Sequence, residues 1–277
     1  MQECDSNSIV VAPETFVSPR LSAAALVENN PHGNSSFNRF GAFAKERSLS
    51  LIIGAVTDTF YNAQARPTPT ARHLGGERWY DRCNSAVFFD SNGKHGFYHK
   101  SKLVVLVEST PYKRLFKFVS KFNIDLGGAM GDFAPQSERE IFVTTDSVKI
   151  GTAICYESVY GDFYREYVLN GADVMSIITN DGWWGDTPGY RQHLSYASLR
   201  AIETRRAIAR SANTGISAFI DQKGDIIAST EWWKEDAISA DLPLNDKITF
   251  FVRHGDIIGR VSEFLYFLFA LMVIVRR

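Results

Sequence analysis

The sequence predicts an α/β fold in which mixed sheets carry helices on their outer faces. Apolar, strand-like runs alternate along the chain with segments of helical spacing, a pattern that calls for sheets covered by helices. Several strand-to-strand connections are too short for a crossover helix and read as hairpins, so the sheets cannot be wholly parallel. The 277 residues are 45% hydrophobic and 22% charged, enough apolar material for a substantial core and too little charge for a disordered chain.

Taken in order, SIVVAPE (8–14) is a short apolar strand that ends at a carboxylate, Glu14. SSFNRFGAFAKERS (35–48) has helical spacing, and LSLIIGAVTDTFY (49–61) is a buried strand. PTPTARHLGGERWYDR (67–82) is rich in turn residues and reads as a loop. NSAVFFDSNGKHGFYHKSKLV (84–104) is a hairpin turning at Ser91-Asn92-Gly93. In PYKRLFKFVSKF (111–122) phenylalanines interleave with lysine and arginine, which suits a helix lying on a bilayer surface or a plain amphipathic surface helix.

REIFVTTDSVKIGTAICYE (139–157) is a second hairpin whose last strand carries Cys155, and DFYREYVLNGA (162–172) is a helix stopped near Gly171. DVMSIITND (173–181) is a strand. The stretch 189–215 reads as one long helix closed by Asn213 and Gly215, and ISAFIDQKGDIIAST (216–230) as a hairpin turning at Lys223-Gly224. From Phe264 to Val275 twelve apolar residues run without a charge, closed by Arg276 and Arg277. Extended back to Ile257 the stretch has nineteen residues, near the ~20 that span a bilayer. Two units are therefore expected, an α/β domain over 1–250 and, over 257–275, a transmembrane helix, with a buried C-terminal helix as the alternative.

A formal net charge of −1 gives no basic field to attract nucleic acid. The cysteines Cys4, Cys83 and Cys155 are too few and too scattered for a disulfide framework, and at least one stays unpaired. No cysteine or histidine pair has zinc-site spacing, so neither a metal nor a cofactor is expected. The N-terminus has no basic stretch followed by an apolar one, so no signal peptide is expected there.

Three strand ends carry chemistry: Glu14, Lys100 and Cys155. Singly, each is ordinary, since a free cysteine on an apolar strand is most often a small core hydrophobe. Together they make a nucleophile, a cation and a base. A thiol becomes strongly nucleophilic when a cation lowers its pKa and a base takes its proton, and an ammonium with a backbone N–H also stabilises an oxyanion.

APET, YHKSKLV, ICYE and NDGWWG follow one another in the order seen in the nitrilase-like carbon–nitrogen hydrolase superfamily, which this chain resembles over about residues 8 to 240. The resemblance implies an αββα sandwich and a triad with Glu14 as base, Lys100 as cation and Cys155 as nucleophile. Within the superfamily the chain is most similar to apolipoprotein N-acyltransferases. Glu108, eight residues after Lys100, stands where that family has a second glutamate, although Val105, Leu106 and Val107 replace the residues expected before it. The run from Asn180 to Gly215 and the apolar C-terminal stretch extend the likeness.

The resemblance implies an acyl donor, a membrane phospholipid, and an acceptor, a diacylglyceryl apolipoprotein, at the bacterial inner membrane with the catalytic domain on the periplasmic side. The two terminal arginines suit that orientation. It also implies that membrane helices and a first catalytic-domain strand are missing ahead of VVAPET. Tyr156 is expected to lend its N–H to the oxyanion hole and Glu157 to orient the site. Trp183 and Trp184 suit an acyl-chain pocket or ordinary packing. Arg200, Glu203 and Arg206 are expected in an internal ion-pair network, and His193 in a structural role.

Overall fold

The structure, a computed structural model, describes residues 6–17, 26–28, 30–104, 108 and 133–276. The basic and aromatic stretch 111–122 lies outside them. The first half forms β1 (Ile9–Val11), β2 (Leu26–Val27), α1 (Ser35–Glu46), β3 (Ser50–Asn62), β4 (Arg72–Gly75), β5 (Arg78–Phe89) and β6 (His95–His99). The second half forms β7 (Ile141–Val143), β8 (Lys149–Ile154), α2 (Gly161–Leu169), β9 (Val174–Asn180), α3 (Gly189–Thr204), β10 (Ile208–Asn213), β11 (Ala218–Ile220) and β12 (Ile226–Ser229). The short α4 (Phe250–His254) and the long α5 (Ile257–Val275) follow.

The strands make two six-stranded sheets. The first has the path β1-β3-β5-β4, with β2 beside β3 and β6 beside β5; the second runs β12-β11-β10-β9-β8-β7. Both are mixed: β1 is parallel to β3 while β5 is antiparallel to β3 and β6, and β8, β9 and β10 are parallel between antiparallel flanks.

Strand alternation sorts the first sheet into two faces. Ile52, Ala86, Phe88 and Tyr98 belong to the large core shared with the second sheet, α2 and α3. Their neighbours Leu51, Ile53, Ala55, Val87 and Phe89 face the other way and pack with α1. Phe37 of α1 sits 4.8 Å from Phe89, ring centre to ring centre. The helix begins where Asn34 accepts the N–H groups of Ser36 and Phe37, a cap that contributes about 1 kcal/mol.

Three expected elements come out differently. The loop over 67–82 contains β4, which turns into β5 through Gly75 and Gly76, both at positive φ. Cys155 lies one residue past β8, in a 3-10 helix over Cys155–Val159. The long helix over 189–215 is α3 followed by β10. Arg205, left-handed at φ 52°, ends the helix, and the chain then pairs with β9 from Ile208↔Met175 to Asn213↔Asn180. Arg206, 1% exposed, donates to the carbonyls of Ala172, Thr204 and Lys247, and Ala207 and Ile208 are buried. Sheet pairing and burial outweigh a helical propensity that is only a weak preference.

α5 spans 19 residues, and none of them is buried against the rest of the chain. By length and composition it is apolar enough to cross a membrane.

Candidate active site

Between the sheets, four polar side chains converge on the inner face. Lys100 follows β6 directly and is 1% exposed. Its ammonium donates to Glu108 Oε1 at 2.9 Å and to Glu14 Oε1 at 3.2 Å. The amide of Asn84 on β5 donates to the same two oxygens, each at 2.7 Å. Glu14 Oε2 takes the backbone N–H of Asn180 at 2.9 Å, and Glu108 Oε2 takes that of Val104 at 2.8 Å. Glu14 and Glu108 are buried, a placement that carboxylates tolerate only when paired in this way.

Local sequence explains how Glu14 arrives there. The turn after β1 presses against β3 at Gly54, where a Cβ would lie 2.5 Å from both Glu14 Cα and Pro13 O. Only glycine permits that approach. The backbone bonds Gly54 N–H to Pro13 O and Val17 N–H to Gly54 O fasten the turn on either side of Glu14.

Cys155 faces the same space from the second sheet. Its φ is 54°, a left-handed conformation that costs a non-glycine residue of order 1–3 kcal/mol and recurs at functional sites. Its carbonyl accepts Ser158 Oγ at 2.9 Å and lies 3.2 Å from His193 Nε2. His193 Nδ1 is 2.9 Å from Asp181 Oδ1, and Arg210 donates to Asp181 Oδ2 at 2.6 Å. Burial alone would raise the Asp181 carboxyl, but the His193 bond and the Arg210 charge outweigh it and hold it at about 2. A buried Arg–Asp–His chain therefore ends on the cysteine's own carbonyl.

Burial pushes the Cys155 thiol up to about 12, with Glu14 adding to the rise, while the Lys100 charge pulls the other way. Lys100 therefore does not produce a resting thiolate, which corrects the expectation of a lowered pKa. Desolvation outweighs a cation that already serves two carboxylates. Burial would likewise lower the Lys100 ammonium, but the Glu14 and Glu108 carboxylates hold it well above the ordinary lysine range.

Glu157, fully buried, joins the two halves of the site. Its Oε1 accepts from Ser101 N at 2.6 Å, Tyr98 Oη at 2.9 Å and Lys102 N at 3.2 Å. Its Oε2 accepts from Ile154 N at 2.8 Å and Tyr167 Oη at 3.3 Å. Tyr156 is half-buried with its ring 5.7 Å from that of Tyr160.

Trp183 and Trp184 lie in the 3-10 helix after β9, Trp184 exposed and close against Gly189. Among the described residues, no hydrogen bond, ion pair or ring contact joins either to the cluster. Arg200 pairs with Glu203 at 2.9 Å, but Arg206 binds only carbonyls, so the expected ion-pair network is a single pair.

Asn84 was invisible to motif reading. The one available signal for Asn84 was a polar amide inside the apolar run CNSAVFF at an inward-facing position.

Among solved structures, a carbon-nitrogen hydrolase from Helicobacter pylori G27 superposes with a TM-score of 0.58 at 16% identity, over 94% of this chain and 82% of that one. An amidase from Nesterenkonia sp. AN1, solved with acrylamide added at its active-site cysteine, gives a TM-score of 0.52 at 13% identity, over 80% and 75%. These likenesses are of fold. Closer in sequence are proteins named apolipoprotein N-acyltransferase. That of Chlorobaculum tepidum is 34% identical over 70% of this chain and 37% of its own length, and that of Shewanella oneidensis is 30% identical over 89% and 42%. The chain thus spans about two-fifths of the length of the curated relatives it matches. Residues 3–249 match the carbon-nitrogen hydrolase family model, nearly the whole of the two-sheet body and its cysteine-bearing turn, and the chain belongs to that family.

Proposed function

We propose that the protein is an acyltransferase that moves a fatty acyl chain from a membrane phospholipid to the amino group of a diacylglyceryl cysteine at the N-terminus of an apolipoprotein, through a thioester on Cys155. The observation that carries this reading is the buried set of Glu14, Lys100 and Glu108 facing a backbone-strained cysteine. The names of its relatives and the exposed apolar helix α5 support a lipid substrate.

The hydrogen-bond inventory supports the division of roles. Glu14 has four lone-pair sites and three are taken by Lys100, Asn84 and Asn180, which leaves one on Oε2 for the thiol proton. With the thiol resting near 12, attack and proton transfer occur together: sulfur bonds to the ester carbonyl carbon as Glu14 accepts the proton. The Lys100 ammonium has three N–H groups and two are engaged by carboxylates, so the third meets the oxyanion, with the Tyr156 N–H as partner donor. Collapse expels the lyso-phospholipid alkoxide, which takes the proton back from Glu14.

The acceptor amine then attacks the thioester, Glu14 takes its proton, an amide forms, and Cys155 leaves to be reprotonated. Glu108 and Asn84 hold Lys100 and Glu14 in register, Glu157 fixes the cysteine turn, and Trp183 and Trp184 flank the acyl entrance. Water is excluded at the thioester stage by an apolar setting at the bilayer. The site is the inner membrane of a bacterium, with residues 1–250 on the periplasmic side and residues 257–275 crossing the bilayer.

Membranes containing the protein, given acyl-labelled phospholipid and a synthetic diacylglyceryl-cysteine peptide, test this reading. The expected product is the peptide heavier by one acyl chain. Hydrolysis of small amides with no acylated peptide would replace it with an amidase. No turnover of either kind would leave a tethered binding module.

A further inference from the structure

Directly behind the cluster, on the opposite face of the first sheet, lies a second set of reactive side chains. Cys83 and His99 each immediately precede a residue of the cluster, Asn84 and Lys100, and strand alternation turns them outward. There they meet Glu28, whose N–H bonds to Asp58 O on β3 at 3.1 Å. A carboxylate oxygen, the thiol sulfur and an imidazole nitrogen lie within 4.8 Å of one another. His99 Nε2 and Glu28 Oε2 are 3.3 Å apart, the edge expected between two ligands of a tetrahedral zinc ion with bonds of about 2.0–2.1 Å.

The groups around the trio fit the same purpose. Ser85 Oγ lies 2.8 Å from His99 Nδ1, which leaves Nε2 to face the trio. Thr57 and Thr59 on β3 donate to the two Glu28 oxygens, Thr59 at 2.8 Å and Thr57 closer still. Metal-ligating imidazoles and carboxylates are oriented by outer partners of this kind. Cys83 and His99 also line a cavity of about 420 Å³, shared with Tyr61, Thr70 and Asp81. The cavity provides an entry path and room for a fourth ligand.

We propose that Glu28, Cys83 and His99 form a binding site for a divalent transition-metal ion, zinc by ligand type, that clasps the end of β2 to β5 and β6 behind the cluster. A mixed sulfur, nitrogen and oxygen set suits zinc over magnesium or calcium. Binding forms a sulfur–metal bond and releases the thiol proton to solvent, with no redox step. The trio escapes sequence motifs because its members come from three segments, brought together by the registers Val27↔Asp58, Thr57↔Cys83 and Ser85↔His99. The site does not depend on the acyl-transfer reading.

Cobalt(II) titration of the detergent-solubilised protein tests it. The expected result is a thiolate-to-cobalt charge-transfer band that saturates at one ion per chain and is displaced by zinc. The band persists in Cys4→Ser and Cys155→Ser and is lost in Cys83→Ser. Thr57→Val, which keeps all three ligands, weakens zinc affinity by about 10–100-fold. Absence of the band, its survival in Cys83→Ser, or its loss in Cys155→Ser would overturn the proposal. Far-ultraviolet circular dichroism of each variant confirms that the fold is intact.

Discussion

Glu157 Oε1 accepts the backbone N–H of Ser101 at 2.6 Å, so a carboxylate two residues beyond Cys155 grips the chain one residue beyond Lys100. All five partners of Glu157 donate to it, three of them backbone N–H groups. An amide in its place would turn one NH₂ toward donors.

Glu157→Gln is therefore expected to cost about 1–3 kcal/mol of stability, the penalty of a buried donor left without an acceptor. It should also lower acyl transfer by about tenfold or more, because the turn and the lysine segment lose their common anchor. Denaturant midpoints and initial rates on the same preparations check both effects. Wild-type stability in the variant would show that Glu157 carries no such anchoring.

Asp181 predicts a pH dependence. Its carboxyl sits at about 2 in the folded chain against an ordinary 3.8. A lowered carboxyl contributes stability that is fully present above the unfolded value and lost as pH falls through the folded one. The difference corresponds to about 2 kcal/mol, lost between roughly pH 5 and pH 2. In Asp181→Asn that part of the stability curve should flatten, measured by denaturant unfolding at a series of pH values. An unchanged slope would remove Asp181 from the account of acid lability.

Gly54→Ala tests the placement of Glu14. The added methyl meets Glu14 Cα and Pro13 O at 2.5 Å, and both are backbone atoms that cannot swing aside. Overpacking of this kind costs about 1–3 kcal/mol. Acyl transfer should fall by about 100-fold, since a shift of ~1 Å in the base has that effect. A variant with wild-type activity would show that the turn tolerates displacement.

The strands ending at Glu14, Lys100 and Cys155 were legible because each apolar run stops at a residue with chemistry of its own. Pattern reading was weakest where tertiary pairing decides. Ile208–Asn213 has helical composition and becomes β10 because β9 offers a parallel partner and because the buried Arg206 finds three carbonyls. Two glycines at positive φ make a hairpin of what reads as a loop at 67–82. A structural role for His193 was legible, but Asn84 and the linkage of Arg210, Asp181 and His193 were not, since their partners lie far away in sequence. The resting state of Cys155 was misjudged for a related reason. The cation and both carboxylates were legible, but the depth of burial was not.

The claim on which the account rests is a covalent one. Membranes containing the protein are incubated with acyl-labelled phospholipid without acceptor, quenched in acid and digested, and the peptide bearing Cys155 is weighed. The account predicts one acyl chain on Cys155, released by hydroxylamine, discharged by added diacylglyceryl-cysteine peptide, and absent from Cys155→Ala. Acylation that persists in Cys155→Ala, or a label found on any other residue, would contradict it.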